Sequence, residues 1–343
     1  MATRVNIITK TSGGAISASM KFEKSVYDIA KSGGYTGTKE ELYTLLAKQG
    51  AENSAIRNLV SSLSNGTYEG VNLEVQFATE IAQYSSPWAW MSARIKTGNF
   101  TGLNIGDYIP FTLSAGTVAG YTINQQTFKA VIAGIDMYIH KGYIMPTSSD
   151  HHIDFITEEL CDTRVAWNPA NNNNGTSLQP CSWLASAIYA VLNGVNNYTT
   201  SAFGNVPHGA DASAGGVLQL LPSELQNVIV NKKQALGFKY SATQLLQRPT
   251  QQNYAEMGKL WLPTECEIKG TFDLSDSREN ELYNSYPIFR IEKNQIKFNS
   301  LGAEGSYWTC ATYNDIAACV AGFAFSTLGC SYLRDFPICF RIG

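Results

Sequence analysis

The chain has 343 residues, enough for one large domain with a smaller companion or for two ordinary domains. Hydrophobic residues make up 44% and charged residues only 15%, so a core can be buried while surface polarity must come from Asn, Ser, Thr, Gln and Tyr, a balance that suits β-rich extracellular assemblies better than a cytosolic enzyme. With a net charge of −3 and no basic run longer than Lys232-Lys233, nothing tracks a phosphate backbone, which argues against nucleic acid as a partner.

Met1 to Lys10 has neither an apolar h-region nor a cleavage site, and no run approaches the ~18 apolar residues of a spanning helix. The expectation is a protein made in a cytoplasm and not inserted into a membrane. Residues 1–37 are rich in Gly, Ser and Thr and weakly patterned, which predicts an extended arm. Thr38-Lys39-Glu40-Glu41 forms a capping box, in which the Thr38 hydroxyl and the Glu41 carboxylate satisfy each other's orphan amides. A helix to about Gln49 should follow, with Leu42, Leu45 and Leu46 on one face. Ile56, Leu59, Val60 and Leu63 predict a second helix over 51–63, and a third fits 76–92, ending in Trp88 and Trp90. Residues 1–95 thus read as an arm and small helical region for attachment or oligomerisation, and 96–343 as a larger domain.

The texture changes at Thr97-Gly98. Gly106 to Leu113 and Phe128 to Ile139 read as strands, whereas Asp150 to Gly175 reads as irregular and ends in the Asn-rich run Asn171 to Asn174, a solvated turn. Ser182 to Asn193 predicts an amphipathic helix through Leu184, Ile188, Val191 and Leu192. Pro222, at a first helical position, starts another over about 222–231. After Tyr240 the pattern is strands and turns with one short helix near 276–284.

Two stretches carry a family resemblance. Trp261-Leu262-Pro263-Thr264-Glu265-Cys266-Glu267 is similar to the LPTE-x-E segment of the C-type-lectin-like fold of formylglycine-generating enzymes and their relatives. The ending, from Tyr307-Trp308-Thr309 to Pro337-Ile338-Cys339-Phe340-Arg341-Ile342-Gly343, looks like that fold's closing strands. Together with Gly106 to Leu113, His151 to Phe155 and the helix at 182–193, the stretch 97–343 resembles a domain of phage-encoded virion proteins. The resemblance implies an α+β, C-type-lectin-like domain behind a small helical N-terminal region, with Leu262, Pro263, Glu265, Trp308, Phe340 and Arg341 as scaffold. It also implies a loop-rich recognition segment at 306–336, since loops on a fixed scaffold are free to vary.

The tail has a further peculiarity. Residues 306–343 contain no Lys, Glu, Gln, Met or His, whereas the first 305 residues hold 16 Lys, 17 Glu, 14 Gln and 6 Met. At that density about 7 of these four types would be expected in the tail. Buried strands exclude long charged side chains, which is one explanation. The other lies in the genetic code: Lys, Glu, Gln and Met have no codon ending in a pyrimidine, and every tail residue except Trp308 has one. In this the tail resembles the variable proteins of diversity-generating retroelements, whose lectin-fold C-terminus is varied at adenines. That resemblance implies a binding face drawn from Tyr313, Asn314, Asp315, Ala317, Ala318, Phe323, Phe325, Thr327, Cys330, Tyr332, Leu333, Asp335 and Phe336. Tyr and Phe offer rigid contact area, and Asn, Asp and Thr adaptable hydrogen bonds. Trp308, Ile338, Phe340 and Ile342 alternate like a buried strand.

Other constellations read as structural. His151, His152 and Asp154 could hold a metal, but adjacent strand residues point to opposite faces. Glu265 and Glu267 alternate on one face of a strand or turn, where catalysis would need a cleft and unequal pKa values. The seven cysteines are odd in number and include no CxxC pair, so neither a disulfide framework nor a zinc site is expected. Cys310, Cys319, Cys330 and Cys339 lie in no active-site motif. Trp261 stands where the resembling enzymes carry Arg, and Ile268 where they carry Trp.

The expectation is a non-enzymatic virion protein, with no catalytic residues, cofactor or metal, that binds a host cell-surface protein or glycan. It would be made in the host bacterial cytoplasm and released by lysis. Other virion proteins and copies of itself, in a trimer first of all, are the expected partners. A purely structural capsid or tail decoration protein is the alternative, and a formylglycine-generating-type oxidase a third.

Overall fold

The computed structural model describes residues 4–11, 14–21, 26–50, 69–138, 151–168, 183, 186–194, 215–235, 254–270, 285–313, 316–321 and 324–343. The chain divides into two compact units, Met1–Tyr68 and Glu69–Gly343.

In the first unit, β1 (Arg4–Thr11) and β2 (Gly14–Lys21) form an antiparallel hairpin, with Lys10 opposite Ala15, where the composition had predicted an extended arm. Helix α1 (Val26–Ser32) follows, and a second helix, α2, covers 39–50. The capping box at its start is present as expected: the Glu41 amide donates to Thr38 Oγ1 (3.2 Å) and the Thr38 amide to Glu41 Oε2 (2.6 Å). Leu42 is buried, while Leu45 and Leu46 are exposed. The helix expected over 51–63 lies outside the described residues.

The second unit begins 27 residues before the expected boundary at 96. Its first helices, α3 (Leu73–Gln76), α4 (Ala78–Ile81) and α5 (Pro87–Lys96), replace the single helix expected over 76–92. Ser86 caps α5 by accepting from the Ala89 amide, and Pro87 occupies its first turn. Trp88, Trp90, Met91 and Ile95 are buried in the main core, so this helix belongs to the larger domain.

The core sheet is built from β3 (Tyr108–Leu113), β6 (Gln126–Ile135), β7 (Ile153–Thr157), β9 (Ile229–Val230), β12 (Leu260–Trp261) and β19 (Cys339–Ile342). Between the first two runs a small hairpin of β4 (Gly116–Val118) and β5 (Tyr121–Ile123). The order is β12-β19-β7-β6-β3, all antiparallel, with β9 also on β19. Every residue of β7 and β19 is buried, so both faces of the sheet are covered. That explains why 153–157 lacks polar alternation and reads as irregular in sequence. One face is aromatic: Phe155 stacks on Phe340 (5.3 Å) and Phe111 on Phe128 (5.4 Å), with Trp88 of α5 edge-on to Phe155 and Phe340.

The remaining elements frame this sheet. β8 (Val165–Ala166) lies in the stretch expected to be irregular. Helix α6 (Ala187–Asn193) is capped by Ser186 and ends at Gly194 in the left-handed region, φ 69°. Pro222 precedes α7 (Ser223–Gln226), and the chain passes into β9 where the expected helix would have continued. A hairpin of β10 (Lys233–Ala235) and β11 (Tyr254–Glu256) leads to β12. Next comes α8 (Glu265–Lys269), then a hairpin of β13 (Lys297–Phe298) and β14 (Glu304–Gly305). β15 (Tyr307–Tyr313), β16 (Ile316–Ala321) and β17 (Ala324–Gly329) form a second, three-stranded sheet, and β18 (Leu333–Arg334) pairs with β8. The fold is α+β with antiparallel sheets. The helix expected near 276–284 and the Asn171 to Asn174 turn lie outside the described residues.

Candidate functional site

The outgoing and returning ends of the C-terminal segment meet each other. Tyr307 and Asp335 form a parallel bridge. The Trp308 amide donates to the Asp335 carbonyl (3.1 Å), and the Asp335 amide donates to the Ser306 carbonyl (3.1 Å). Everything between is an excursion whose two ends are hydrogen-bonded to each other.

The neck is held from several sides. Trp308 is fully buried and donates its indole Nε1 to the Val165 carbonyl (2.8 Å), with Trp167 packed against it. Tyr307 donates its hydroxyl to the Gln295 carbonyl (2.8 Å), and the Cys310 amide donates to the Pro263 carbonyl (3.1 Å). On the returning side, Cys161 donates its amide to the Phe336 carbonyl, and Asn168 donates its amide to the Cys330 carbonyl. Gly305 comes so close that a Cβ there would stand 2.7 Å from Asp335 Oδ2 and 2.4 Å from Leu160 Cδ1.

Beyond the neck the register is continuous: Thr312 pairs with Ala317, Tyr313 with Ile316, Ala318 with Thr327 and Val320 with Phe325. A register shift lies between Trp308 and Thr312. The expected face residues Tyr313, Ala317, Ala318, Phe325 and Thr327 therefore share one small sheet, while Asn314, Asp315 and Phe323 lie outside the described residues. Tyr332 and Leu333 are about half exposed. Cys330, Asp335 and Phe336, expected on the face, are instead buried. They belong to the neck and the returning strand, where the chain must rejoin the core, and they offer no surface to a ligand.

The second face of the main sheet carries a buried charged network. Arg341 donates Nε to Asp154 Oδ1 (2.6 Å) and Nη2 to Oδ2 (2.8 Å), a fork-on-fork pair across β19 and β7. The Tyr286 hydroxyl donates to Asp154 Oδ2 (2.8 Å), and Lys232 Nζ donates to the Tyr286 hydroxyl (3.1 Å). Lys232 and the Tyr138 hydroxyl both donate to Glu267 Oε1, and the ammonium sits 3.8 Å from the centre of the Trp261 ring. Burial works against an ionised Asp154, but the Arg341 charge and its hydrogen bonds outweigh it and hold the carboxyl at about 2. Two cations and two carboxylates thus balance where neither sign could be buried alone.

Glu267 lies in a helix, not in the strand or turn expected. Thr264 and Glu267 form a reciprocal capping box at the start of α8, the Thr264 amide donating to Glu267 Oε2 (2.9 Å) and the Glu267 amide to Thr264 Oγ1 (3.0 Å). Residues two apart on a helix do not share a face, so Glu265 and Glu267 are not a paired-carboxylate site. The other scaffold residues Leu262, Pro263, Glu265, Phe340 and Arg341 are all buried. The sequence does not mark Lys232, Tyr138 and Tyr286 as members of this network, because nothing local identifies a residue whose partner lies far along the chain.

His151, His152 and Asp154 do not converge. His151 Nδ1 pairs with Asp136 Oδ2 (2.7 Å), while Asp154 is taken by Arg341. Among the described residues no cluster of His, Cys, Asp or Glu has the arrangement of a metal site. Cys161, Cys266, Cys310, Cys330 and Cys339 are buried thiols. Burial pushes Cys161 up to about 12 and raises Cys339, the opposite of the lowered thiol a cysteine nucleophile needs.

No protein-family model, curated protein or solved structure matches this chain.

Proposed function

We propose that the chain is a non-enzymatic bacteriophage virion protein that binds a host-surface protein or glycan through the excursion between Trp308 and Asp335. In this reading the larger domain is C-type-lectin-like, and the N-terminal unit attaches it to other virion proteins or to further copies of itself, a trimer in the first instance. The protein is made in the bacterial cytoplasm and reaches the virion by assembly and lysis.

The supporting observation is the closed neck. A segment whose ends are bonded to each other by backbone groups can change its side chains while its frame stays put. The tail composition adds to this: Lys, Glu, Gln and Met, which have no pyrimidine-ending codon, are missing from 306–343, as expected of a retroelement-diversified segment. Exposed Tyr332 beside the neck supplies contact area of the kind that dominates recognition surfaces.

Two measurements test the reading. Sequencing the DNA around the gene should reveal a near-copy of the region encoding 306–343, differing only at adenines, beside a reverse transcriptase. Exchanging the excursion for a differently sequenced one of equal length should change which bacterial cells the virion adsorbs to while leaving particle assembly intact. Unchanged adsorption would overturn the reading and favour a decoration protein.

A further inference from the structure

Resting on that reading, we propose that Asp335 is a positioning residue that latches the neck rather than a recognition residue, and that variation tolerated by the excursion stops before it. Asp335 is 2% exposed, so a ligand does not reach it. Its amide and carbonyl are both committed to the outgoing strand, at Ser306 and Trp308. Its carboxylate Oδ1 accepts from Arg164 Nε at 3.1 Å, and its Oδ2 lies against Gly305. The pairing of Leu333 with Ala166 and Arg334 with Val165 carries the strand ladder to the doorstep of that ion pair. One residue therefore joins the outgoing strand, the returning strand and Arg164, which immediately precedes β8.

The energetics point the same way. Burial raises the Asp335 carboxyl despite Arg164, and Arg164 is 57% exposed, so this pair does little for global stability. A buried acid that costs the fold something and still joins two strands to Arg164 acts on geometry. Loosening it should leave the core intact and free the excursion to move, and a recognition face that moves binds more weakly because ordering must accompany binding.

Asp335→Asn and Arg164→Met in the full-length chain separate these roles. In amide hydrogen exchange, both variants should speed exchange at the amides of Trp308 and residue 335 by about tenfold or more, while Phe155 and Phe340 in the core keep their protection. Arg164→Met removes the charge pair from the exposed side, so it keeps the test open if Asp335→Asn folds poorly. Unchanged exchange at Trp308 and residue 335 in Arg164→Met would overturn the latch. A second arm tests binding. The chain is displayed with positions 313, 317, 318, 325, 327 and 332 randomised and is selected against lysozyme as an arbitrary protein probe. Asp335→Asn in a selected binder should weaken binding about tenfold with little change in Tm, and unchanged affinity would also overturn the latch. Failure to obtain any binder would count against the recognition reading, while the exchange measurement would still decide the latch.

Discussion

A carboxylate as deeply buried as Asp154 stays ionised chiefly because Arg341 faces it with its charge and two hydrogen bonds, while Tyr286 donates a third hydrogen bond. Removing one partner leaves the other charge uncompensated. Arg341→Leu is therefore expected to cost about 3–5 kcal/mol in urea denaturation, and Asp154→Leu added to it should recover a large part of that loss. The pH dependence has a definite sign. The folded value of about 2 lies below the ordinary 3.8, so the stabilisation is present above pH 3.8 and is lost as pH falls from 3.8 towards 2. It amounts to on the order of 2 kcal/mol, and the Arg341→Leu variant should lack this acid limb in melts followed against pH. The family resemblance implies a scaffold role for Arg341, but its partner Asp154 is 187 residues away, and nothing in the local sequence pairs the two.

Local chemistry at the ends of elements was more legible. Thr38 and Glu41 announce the start of α2, and the helical pattern ending at Asn193 is stopped by Gly194. These signals act over a turn of chain, so sequence contains both partners. The same Thr-x-x-Glu spacing at Thr264 to Glu267 could have identified α8, but the stretch was read as strand or turn. Thr264→Ala should lower stability by about 1 kcal/mol through loss of this cap, measured by chemical denaturation. Gly194→Ala should cost more than an ordinary Gly to Ala change. It imposes a side chain at φ 69°, and the new Cβ would stand 2.3 Å from the Gly216 backbone nitrogen, so the Tm should fall by several degrees.

For the whole molecule, the boundary between units makes a clear prediction. A chain beginning at Glu69 should keep a cooperative thermal transition, because the larger unit retains all of α5. One beginning at Thr97 should lose it, because Trp88, Trp90, Met91 and Ile95 leave the core together. Near-ultraviolet circular dichroism through the melt distinguishes the two. Composition placed the boundary at 95/96 because the texture of the sequence changes there, yet a boundary is set by where buried contacts stop, and α5 packs on strands that come later.

Sequence alone determined the Thr38–Glu41 cap and the unusual composition of the tail, since each depends on neighbours in the chain or on residue choice itself. The alternation of Ile338, Phe340 and Ile342 suggested one buried face, but Cys339 and Arg341 are buried too, because the sheet is covered on both sides. Tertiary structure decided which tail residues are covered: Cys330, Asp335 and Phe336 are taken inward by Asn168, Arg164 and Cys161, more than a hundred positions earlier. Burial is a property of the contacts that long-range folding creates, and a residue's own chemistry leaves it undetermined.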